Sequence, residues 1–232
     1  VKKNIAVTEI ADSPTNACMN ALGQVFKTET IPQDQTASGY RFFETSLRSD
    51  VGLILSNGKA VRVHVSDLPS LTPGVSGNIP SAEDFIGVKD ASVVGMVPWK
   101  LTGQYALGTS QGTVKRIEGE LPDRDEVSLI SLKELDQVVG IAEASDESEI
   151  AFVTSMGNLL VFDAKSVRPQ GLPASGMAGI NLSAGRAIYF GSLGPEAVLV
   201  TCSNSSLALG DTDPGSAKVT KLSAYPRKGR GS

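Results

Sequence analysis

The sequence predicts an all-β fold built from repeated, propeller-like units. The first observation is a block that recurs four times: an apolar strand, a turn that closes on glycine, and a second strand. The turn glycines are Gly23, Gly58, Gly112 and Gly157. The second observation is that helical spacing of apolar residues is nearly absent. One such unit buries too little apolar surface to fold alone, so the units are expected to stack into one body.

The spacing of the units indicates blades rather than a tight solenoid. The turn glycines lie about 35 to 54 residues apart, so unit length varies through the loops. Strand centres such as 150–153 and 159–162 are apolar on both faces, which is typical of a sheet packed between two other sheets. We therefore expect about five to six blades in a single domain over residues 1–232.

The remaining elements follow in chain order. Residues 31–39 and 69–81 are predicted loops, and Asn57-Gly58 predicts a hairpin turn of type I′, in which both central residues have positive φ. Other strands, including a degenerate fifth unit at the end, are predicted at 4–9, in three runs within 40–67, and at 92–98, 104–109, 113–118, 127–132, 138–143, 187–191, 197–202, 206–209 and 218–222.

Charge is unevenly distributed along the chain. The formal net charge is −4, yet residues 120–149 hold ten acidic and two basic residues, and residues 216–232 hold five basic residues and no acidic one. A surface for a polyanion is therefore expected to be a basic strip facing away from an acidic patch. No apolar run reaches the length of a membrane helix. Val1 in place of an initiator Met indicates a fragment of a longer protein, and no secretory signal is recognised.

The sequence lacks the patterns of a catalytic or metal-binding site. His64 is the only histidine, and no serine stands in a nucleophile elbow. The acids at 123–126 lack the ligand spacing of a calcium loop. Cys18 and Cys202 lie in apolar runs and are expected to be buried, reduced thiols of a cytoplasmic protein. We therefore expect a binding domain with no catalytic residue, no metal and no cofactor.

Basic residues follow the turn glycines at a fixed offset. Four residues after the glycine the units carry Lys27, Arg62 and Arg116, whereas the fourth unit carries Val161, and Lys115 adds a charge in the third unit. Equal offsets in a repeat predict equivalent charges around the rim of a disc, where they could contact phosphates. The alternative is that these are solvated strand-end residues that prevent pairing between sheet edges.

A second basic feature lies near the end of the sequence. Arg227, Lys228 and Arg230 are separated and flanked by Pro and Gly, which keep the backbone open, as a phosphate-binding loop needs. Short basic tails without such a role are also common, so this pattern alone leaves both interpretations open.

Taken together, these stretches resemble the C-terminal β-pinwheel of bacterial type IIA topoisomerase A subunits, closest to the topoisomerase IV or gyrase-like A subunit of actinobacteria. The resemblance rests on 51–62 with Asp67-Leu68-Pro69, 106–116, 167–180, 218–220 and 225–230. It implies a basic perimeter that binds and bends duplex DNA without sequence readout. It also implies an ATP-dependent parent enzyme and a cytoplasmic, nucleoid-associated location. The implied protein partners are an ATPase B subunit in an A2B2 holoenzyme and the N-terminal cleavage portion of the same A subunit.

The resemblance and the repeated offset together give a set of predicted DNA-binding residues: Lys27, Arg62, Lys115, Arg116, Arg168, Lys218, Lys221, Arg227, Lys228 and Arg230. No intact copy of the basic Gln-Arg-Arg-Gly-Gly-Lys-Gly-type box of gyrases is present, and Leu172 and Ala178 stand where related pinwheels often have arginine. With the acidic block, these departures predict a broken positive perimeter that contacts DNA over an arc. The alternative function is a propeller-like protein-interaction module with weak or no DNA binding.

Overall fold

The prediction of an all-β fold is confirmed by the computed structural model, which describes residues 11–20, 22–30, 41–71, 79–172, 174–194, 198–201 and 218–221. The strands are β1 (Pro14–Met19), β2 (Val25–Thr28), β3 (Arg41–Ser46), β4 (Asp50–Leu55), β5 (Lys59–His64), β6 (Val93–Pro98), β7 (Tyr105–Thr109), β8 (Thr113–Ile117), β9 (Glu126–Ser128), β10 (Val138–Glu143), β11 (Glu149–Thr154), β12 (Leu159–Asp163), β13 (Met177–Ala178), β14 (Ala187–Leu193), β15 (Val198–Thr201) and β16 (Lys218–Lys221). Within these ranges, no helix is long and apolar enough to cross a membrane.

The strands form small antiparallel sheets that follow one another along the chain. Their orders are β2-β1-β3, β6-β4-β5-β9, β10-β7-β8-β13, β12-β11-β14 and β15-β16, and we call the first four sheets blades 1 to 4. The four predicted repeats are the central hairpin of each of these blades. Strands β9 and β13 come from the chain that follows the next blade's hairpin. Blades 2 and 3 are therefore each completed by a strand of the following unit.

Three segments cross from one blade back to the blade before it, and we call them straps. Strap 1 (65–71) runs from blade 2 to blade 1, where Ser70 bridges to Lys27. Strap 2 (118–128) runs from blade 3 to blade 2 and ends in β9. Strap 3 (164–172) runs from blade 4 to blade 3, where Pro169 bridges to Arg116. Straps 1 and 3 begin with 3₁₀ turns, Val65–Asp67 and Ala164–Ser166.

The hydrophobic core lies in the seams between successive blades. Ala17 of blade 1 packs in one cluster with Leu53 of blade 2. The other face of blade 2 presents Ile54 to a second cluster shared with blade 3, and blade 3 in turn shares a third cluster with Phe152 of blade 4. This arrangement explains why the strand centres are apolar on both faces. Because β10 packs against both β6 and β14, Gly140 is crowded: a Cβ there would lie 2.2 Å from the Phe190 carbonyl oxygen.

The four repeat turns share one geometry, and it differs from the predicted type I′. The N–H of Gly58 donates to the carbonyl of Leu55 at 3.0 Å, and Gly58 has φ 84°. Asn57 does not have positive φ, so the type I′ prediction was wrong. A three-residue loop that ends in a left-handed glycine also joins twisted strands well. The Asn-Gly pair thus identified the hairpin but not the turn type.

The structure differs from the sequence predictions at two further places. The predicted strand at 127–132 is reduced to the three-residue β9, and helix α1 (Ala82–Ile86) was not predicted at all. Ser81 caps α1 by accepting the N–H of Asp84 at 3.1 Å, and Gly87 ends it with φ 71°. Five residues are too few to show helical periodicity. The predictions at 4–9, 31–39 and 206–209 and the residues of the 225–230 tail lie outside the described residues.

Candidate functional site at the blade seams

Lys27 is half-buried and contacts the strap of the next unit. Its Nζ donates to the carbonyl oxygens of Ser66 and Leu68, at the end of the 3₁₀ turn of strap 1. Its backbone N–H donates to the carbonyl of Pro69 at 2.7 Å, and its carbonyl accepts from Leu71 at 2.8 Å. Burial lowers the pKa of Lys27, which the nearby Asp67 carboxylate partly opposes. The ammonium group thus satisfies carbonyls that a short helical turn leaves without intrahelical partners.

Arg116 makes the equivalent contact with strap 3. Its Nη1 donates to the carbonyls of Ala164 at 3.2 Å and Val167 at 3.4 Å, around the second 3₁₀ turn. Its Nη2 donates to Gln104 Oε1 and Asp146 Oδ1. The residue is 1% exposed. Two units of the repeat therefore use the same offset position to hold the strap of the following unit.

Arg62, at the same offset in blade 2, is neutralised by carboxylates. Its guanidinium donates to Asp50 and to Asp123, the latter on strap 2. It also lies over the Trp99 ring, 5.8 Å from the centroid. The hydrogen bonds to Asp50 and then Asp123 raise the pKa of Arg62. Asp50 additionally contacts the His64 ring, which is exposed.

Lys115 and Arg116 are interior residues, so their predicted placement at the rim was wrong. Lys115 is 0% exposed, and its Nζ donates to the carbonyl of Leu129 at 2.6 Å. Burial lowers the pKa of Lys115 from 10.5 to about 8. The alternative interpretation as solvated strand-end residues is also wrong for these two. Contact with DNA would require both side chains to leave buried partners.

Among the predicted site residues whose side chains the structure describes, Arg168 is the exposed one. It is exposed on strap 3, as is Lys165 of the same strap. Lys165, which the sequence analysis did not single out, lies 3.6 Å from the exposed Asp163 carboxylate. The sequence did contain a signal for Lys165: residues 164–172 hold two basic residues and no acidic one.

The remaining predicted residues stay predictions. Lys218 and Lys221 occupy the two ends of β16, where their backbones pair with Thr201 and Val198. Arg227, Lys228 and Arg230 lie outside the described residues.

A second surface feature had no counterpart in the sequence analysis. Leu135 is 90% exposed and is the described non-glycine residue with positive φ, at 60°. The buried Asp136 carboxylate fixes this loop by accepting from Thr109 Oγ1 at 2.7 Å and from Ser110 Oγ at 2.9 Å. Leu135 borders a cavity of about 680 Å³ together with the exposed Ile188. The polar surroundings of Leu135 in the sequence gave no signal of this apolar surface.

Comparisons with known proteins agree with the architecture. The family model of the DNA gyrase C-terminal domain, a β-propeller, matches residues 56–78, 148–185 and 212–232. The chain is 24% identical over 184 residues to the DNA gyrase A subunit of Escherichia coli, covering 75% of this chain and 20% of that protein. It is 38% identical over 82 residues to the topoisomerase subunit TopoM of Mycolicibacterium smegmatis, covering 35% of this chain and 11% of that protein.

A solved structure shows the same fold over nearly the whole chain. The crystal structure of the C-terminal domain of DNA topoisomerase IV superposes with a TM-score of 0.72 at 20% identity, covering 96% of this chain and 72% of that chain. The β-pinwheel fold is thereby confirmed, and the family model and the gyrase A relatives confirm the resemblance stated from the sequence. The chain matches 20% of the length of the E. coli gyrase A subunit, so it spans about a fifth of such a protein.

Proposed function

We propose, since this chain is a relative of the C-terminal β-propeller domains of DNA gyrase A subunits, that it is a non-catalytic accessory domain of a type II topoisomerase. In this role it binds duplex DNA through the phosphate backbone and bends it, guiding a segment for strand passage by a parent enzyme that contains the cleavage portion and an ATPase subunit. The observation that carries the proposal is the exposed basic strap 3 on a β-pinwheel fold.

The charges of the straps support contact over an arc rather than around the whole disc. Strap 3 presents Lys165 and Arg168 to solvent. Lys165 lies 3.6 Å from the Asp163 carboxylate, so the exposed Arg168 is the main positive group at the seam between blades 3 and 4. At the seam between blades 2 and 3, Arg62 is instead paired with both Asp50 and Asp123. We place the DNA-binding arc at strap 3 and extend it towards the basic residues that follow in the chain: Lys218, Lys221, Arg227, Lys228 and Arg230.

Lys27, Lys115 and Arg116 receive a different role in this proposal. Their ammonium and guanidinium groups hold backbone carbonyls of neighbouring segments, and they support the perimeter instead of contacting phosphates. Arg116 in particular donates to the carbonyl of Val167, the residue before Arg168. The orientation of the exposed strap thus depends on a buried cation.

The test is fluorescence anisotropy with a random-sequence duplex of about 40 base pairs, titrated between about 20 and 300 mM salt. We expect binding at low salt that weakens steeply as salt rises, and a clear loss of affinity in the variant Lys165→Ala/Arg168→Ala. The matched control is Lys89→Ala/Lys100→Ala, which removes the same charge from exposed positions away from strap 3. Equal losses in the two double variants would refute the arc, and no binding by the wild type at the lowest salt would refute DNA binding.

The exposed apolar surface favours a second candidate, a protein-interaction module. Leu135 and Ile188 are 90% and 53% exposed and border one cavity, and contiguous exposed apolar surface marks contacts with other proteins more often than single exposed residues do. If the wild type fails to bind DNA at low salt, this candidate takes precedence. Its binding to a partner should then be insensitive to salt and should weaken in Leu135→Ser.

A further inference from the structure

An open cavity lies where blades 1, 2 and 3 meet strap 2, and its volume is about 1290 Å³. It is bordered by the last residues of β3, β6 and β10 and by the first residues of β4 and β7. Because β4 and β7 begin at this cavity and reach their turn glycines at the other end, it lies at the end of the blades opposite the repeat turns. It is therefore separate from the apolar surface at Leu135, which borders the turn of blade 3.

Aromatic side chains form part of the wall of this cavity. Phe43 comes from β3 of blade 1, Trp99 directly follows β6 of blade 2, and Tyr105 begins β7 of blade 3. Leu121 and Pro122 of strap 2 add further apolar surface. Binding sites commonly combine an apolar and aromatic lining of this kind with a few polar groups that select and orient the ligand.

The charged groups around the cavity favour a cationic ligand. The lining contains six carboxylates against three basic side chains, and one of the basic side chains, Arg62, is already paired with two of the carboxylates. Glu44, Glu120 and Glu143 are exposed and form no ion pair with any residue that the structure describes. These three carboxylates would repel the phosphates of DNA and attract positive charge.

The distribution of the carboxylates indicates an extended ligand rather than a single ion. Within the described part of the chain, no three His, Cys, Asp or Glu side chains are placed to hold one metal ion, whereas Ca²⁺ and Mg²⁺ sites need several oxygen ligands around one point. Carboxylates spread around a cavity instead suit several positive charges carried along one molecule. The Lys and Arg side chains of a peptide and the amines of a polyamine both have this distribution.

The indole group of Trp99 distinguishes these two classes of ligand. Its Nε1 has no hydrogen-bond partner among the described residues, and a buried N–H without an acceptor costs stability. The ring is held in place, since Arg62 lies over it and its edge packs on Gly52, where a Cβ would lie 3.2 Å from the ring. A protonated polyamine offers no acceptor for this N–H, whereas every residue of a peptide offers a carbonyl oxygen.

We propose that this cavity binds an extended basic peptide segment of a partner protein. Lys and Arg side chains of the segment pair with Glu44, Glu120 and Glu143. Its apolar atoms pack on the aromatic wall, and one of its carbonyl oxygens accepts the N–H of Trp99. No residue of strap 3 lines the cavity, so the inference goes beyond the proposed DNA-binding function and does not depend on it.

The test uses a capped peptide of alternating arginine and glycine with four arginines, and compares it with spermine, a polyamine of the same charge. Affinities are measured by calorimetry in about 0.15 M salt, which screens weak surface attraction. Binding is located by the fluorescence of Trp99, the only tryptophan of the chain, since neither ligand is fluorescent. The site variant is Glu120→Gln/Glu143→Gln. The matched control is Glu29→Gln/Glu134→Gln, which removes the same charge from exposed positions that do not line the cavity.

We expect the peptide to change the Trp99 emission saturably and to bind more tightly than spermine. The site variant should bind the peptide about 2- to 30-fold more weakly, the range for losing two exposed ion pairs, and the control should bind it as the wild type does. Equal losses in the two double variants would overturn the location of the site. Spermine binding as tight as that of the peptide would overturn the assignment to a peptide, and no peptide binding would overturn the proposal altogether. None of these outcomes bears on DNA binding, because no duplex is present.

Discussion

Replacing Arg116 with leucine should destabilise the domain strongly, although the residue is basic and its neighbour Arg168 is on the surface. The guanidinium reaches from blade 3 into strap 3 and donates to two backbone carbonyls, those of Ala164 and Val167. Leucine removes these donors without admitting water, because the site is 1% exposed. The fourth unit tolerates Val161 at the same offset, so an apolar side chain of this kind is compatible with the strand.

The magnitude depends on the polar groups that the substitution leaves unpaired. The Val167 carbonyl and the Gln104 side-chain oxygen lose a charged donor, and each such unsatisfied group costs about 1–3 kcal/mol. The Ala164 carbonyl keeps the N–H of Val167 at 2.9 Å and so contributes less. The side chain of Asp146 is 71% exposed and regains water, so it adds little. Removal of the unfavourable desolvation of Arg116 offsets part of the cost. A loss of about 3 kcal/mol in the free energy of unfolding is therefore expected, near the low end for breaking a buried charge contact.

The measurement is urea unfolding followed by the fluorescence of Trp99, which is the only tryptophan and is 4% exposed. Arg116→Lys should recover part of the loss, because Lys27 shows that an ammonium group at this offset can hold two strap carbonyls. Arg168→Leu is the surface control and should change stability by no more than about 0.5 kcal/mol. A cost below about 1 kcal/mol for Arg116→Leu would refute the view that this cation stabilises the seam.

Two further predictions concern buried groups. Because burial lowers the pKa of Lys115 to about 8, the unfolded chain binds an extra proton between the folded and unfolded pKa values. Stability should therefore fall as the pH is lowered from about 10.5 to 8, and Lys115→Met should remove this slope in urea unfolding. Burial raises the pKa of Cys18 to about 11, which lowers stability as the pH rises above about 9. The Lys115→Met protein and the reference protein with Lys115 should therefore both carry Cys18→Ala. Gly140→Ala places a Cβ 2.2 Å from the Phe190 carbonyl oxygen and should cost about 1–3 kcal/mol, whereas Gly171→Ala, with nothing within 4 Å, should be nearly neutral by the same measurement.

The fold was predictable because its determinants are local and repeated. Each turn needs a left-handed residue, so glycine recurs at Gly23, Gly58, Gly112 and Gly157. Blades 2 and 3 are packed on both faces, so their central strands lack polar alternation. The straps were harder to predict. Strand β9 pairs with β5 rather than with the hairpin that precedes it, and its three residues carry no pattern that distinguishes this partner.

The candidate site was less predictable because charge in the sequence does not reveal the partner of that charge. The repeated offset correctly identified Lys27, Arg62 and Arg116 as equivalent. This position, however, faces strap carbonyls at the seams between blades 1 and 2 and between blades 3 and 4, and it faces carboxylates at the seam between blades 2 and 3. Asp123 is distant from Arg62 in the sequence and 92% exposed, and only the crossing of strap 2 brings the two together.

The repeat itself explains which cations are available to DNA. A residue type that recurs at one offset in several units serves a need that these units share, and in a stack of blades that need is the seam with the next unit. The cations at the repeated offset meet this need: Lys27 donates to strap carbonyls, Arg62 is paired with carboxylates and Arg116 is buried. A DNA path confined to one arc instead requires residues that differ from unit to unit, as the strap charges do: strap 2 carries five acids and one basic residue over 118–128, whereas strap 3 carries two basic residues and no acid over 164–172. The search for binding residues in such a domain should therefore favour exposed positions at which equivalent units disagree.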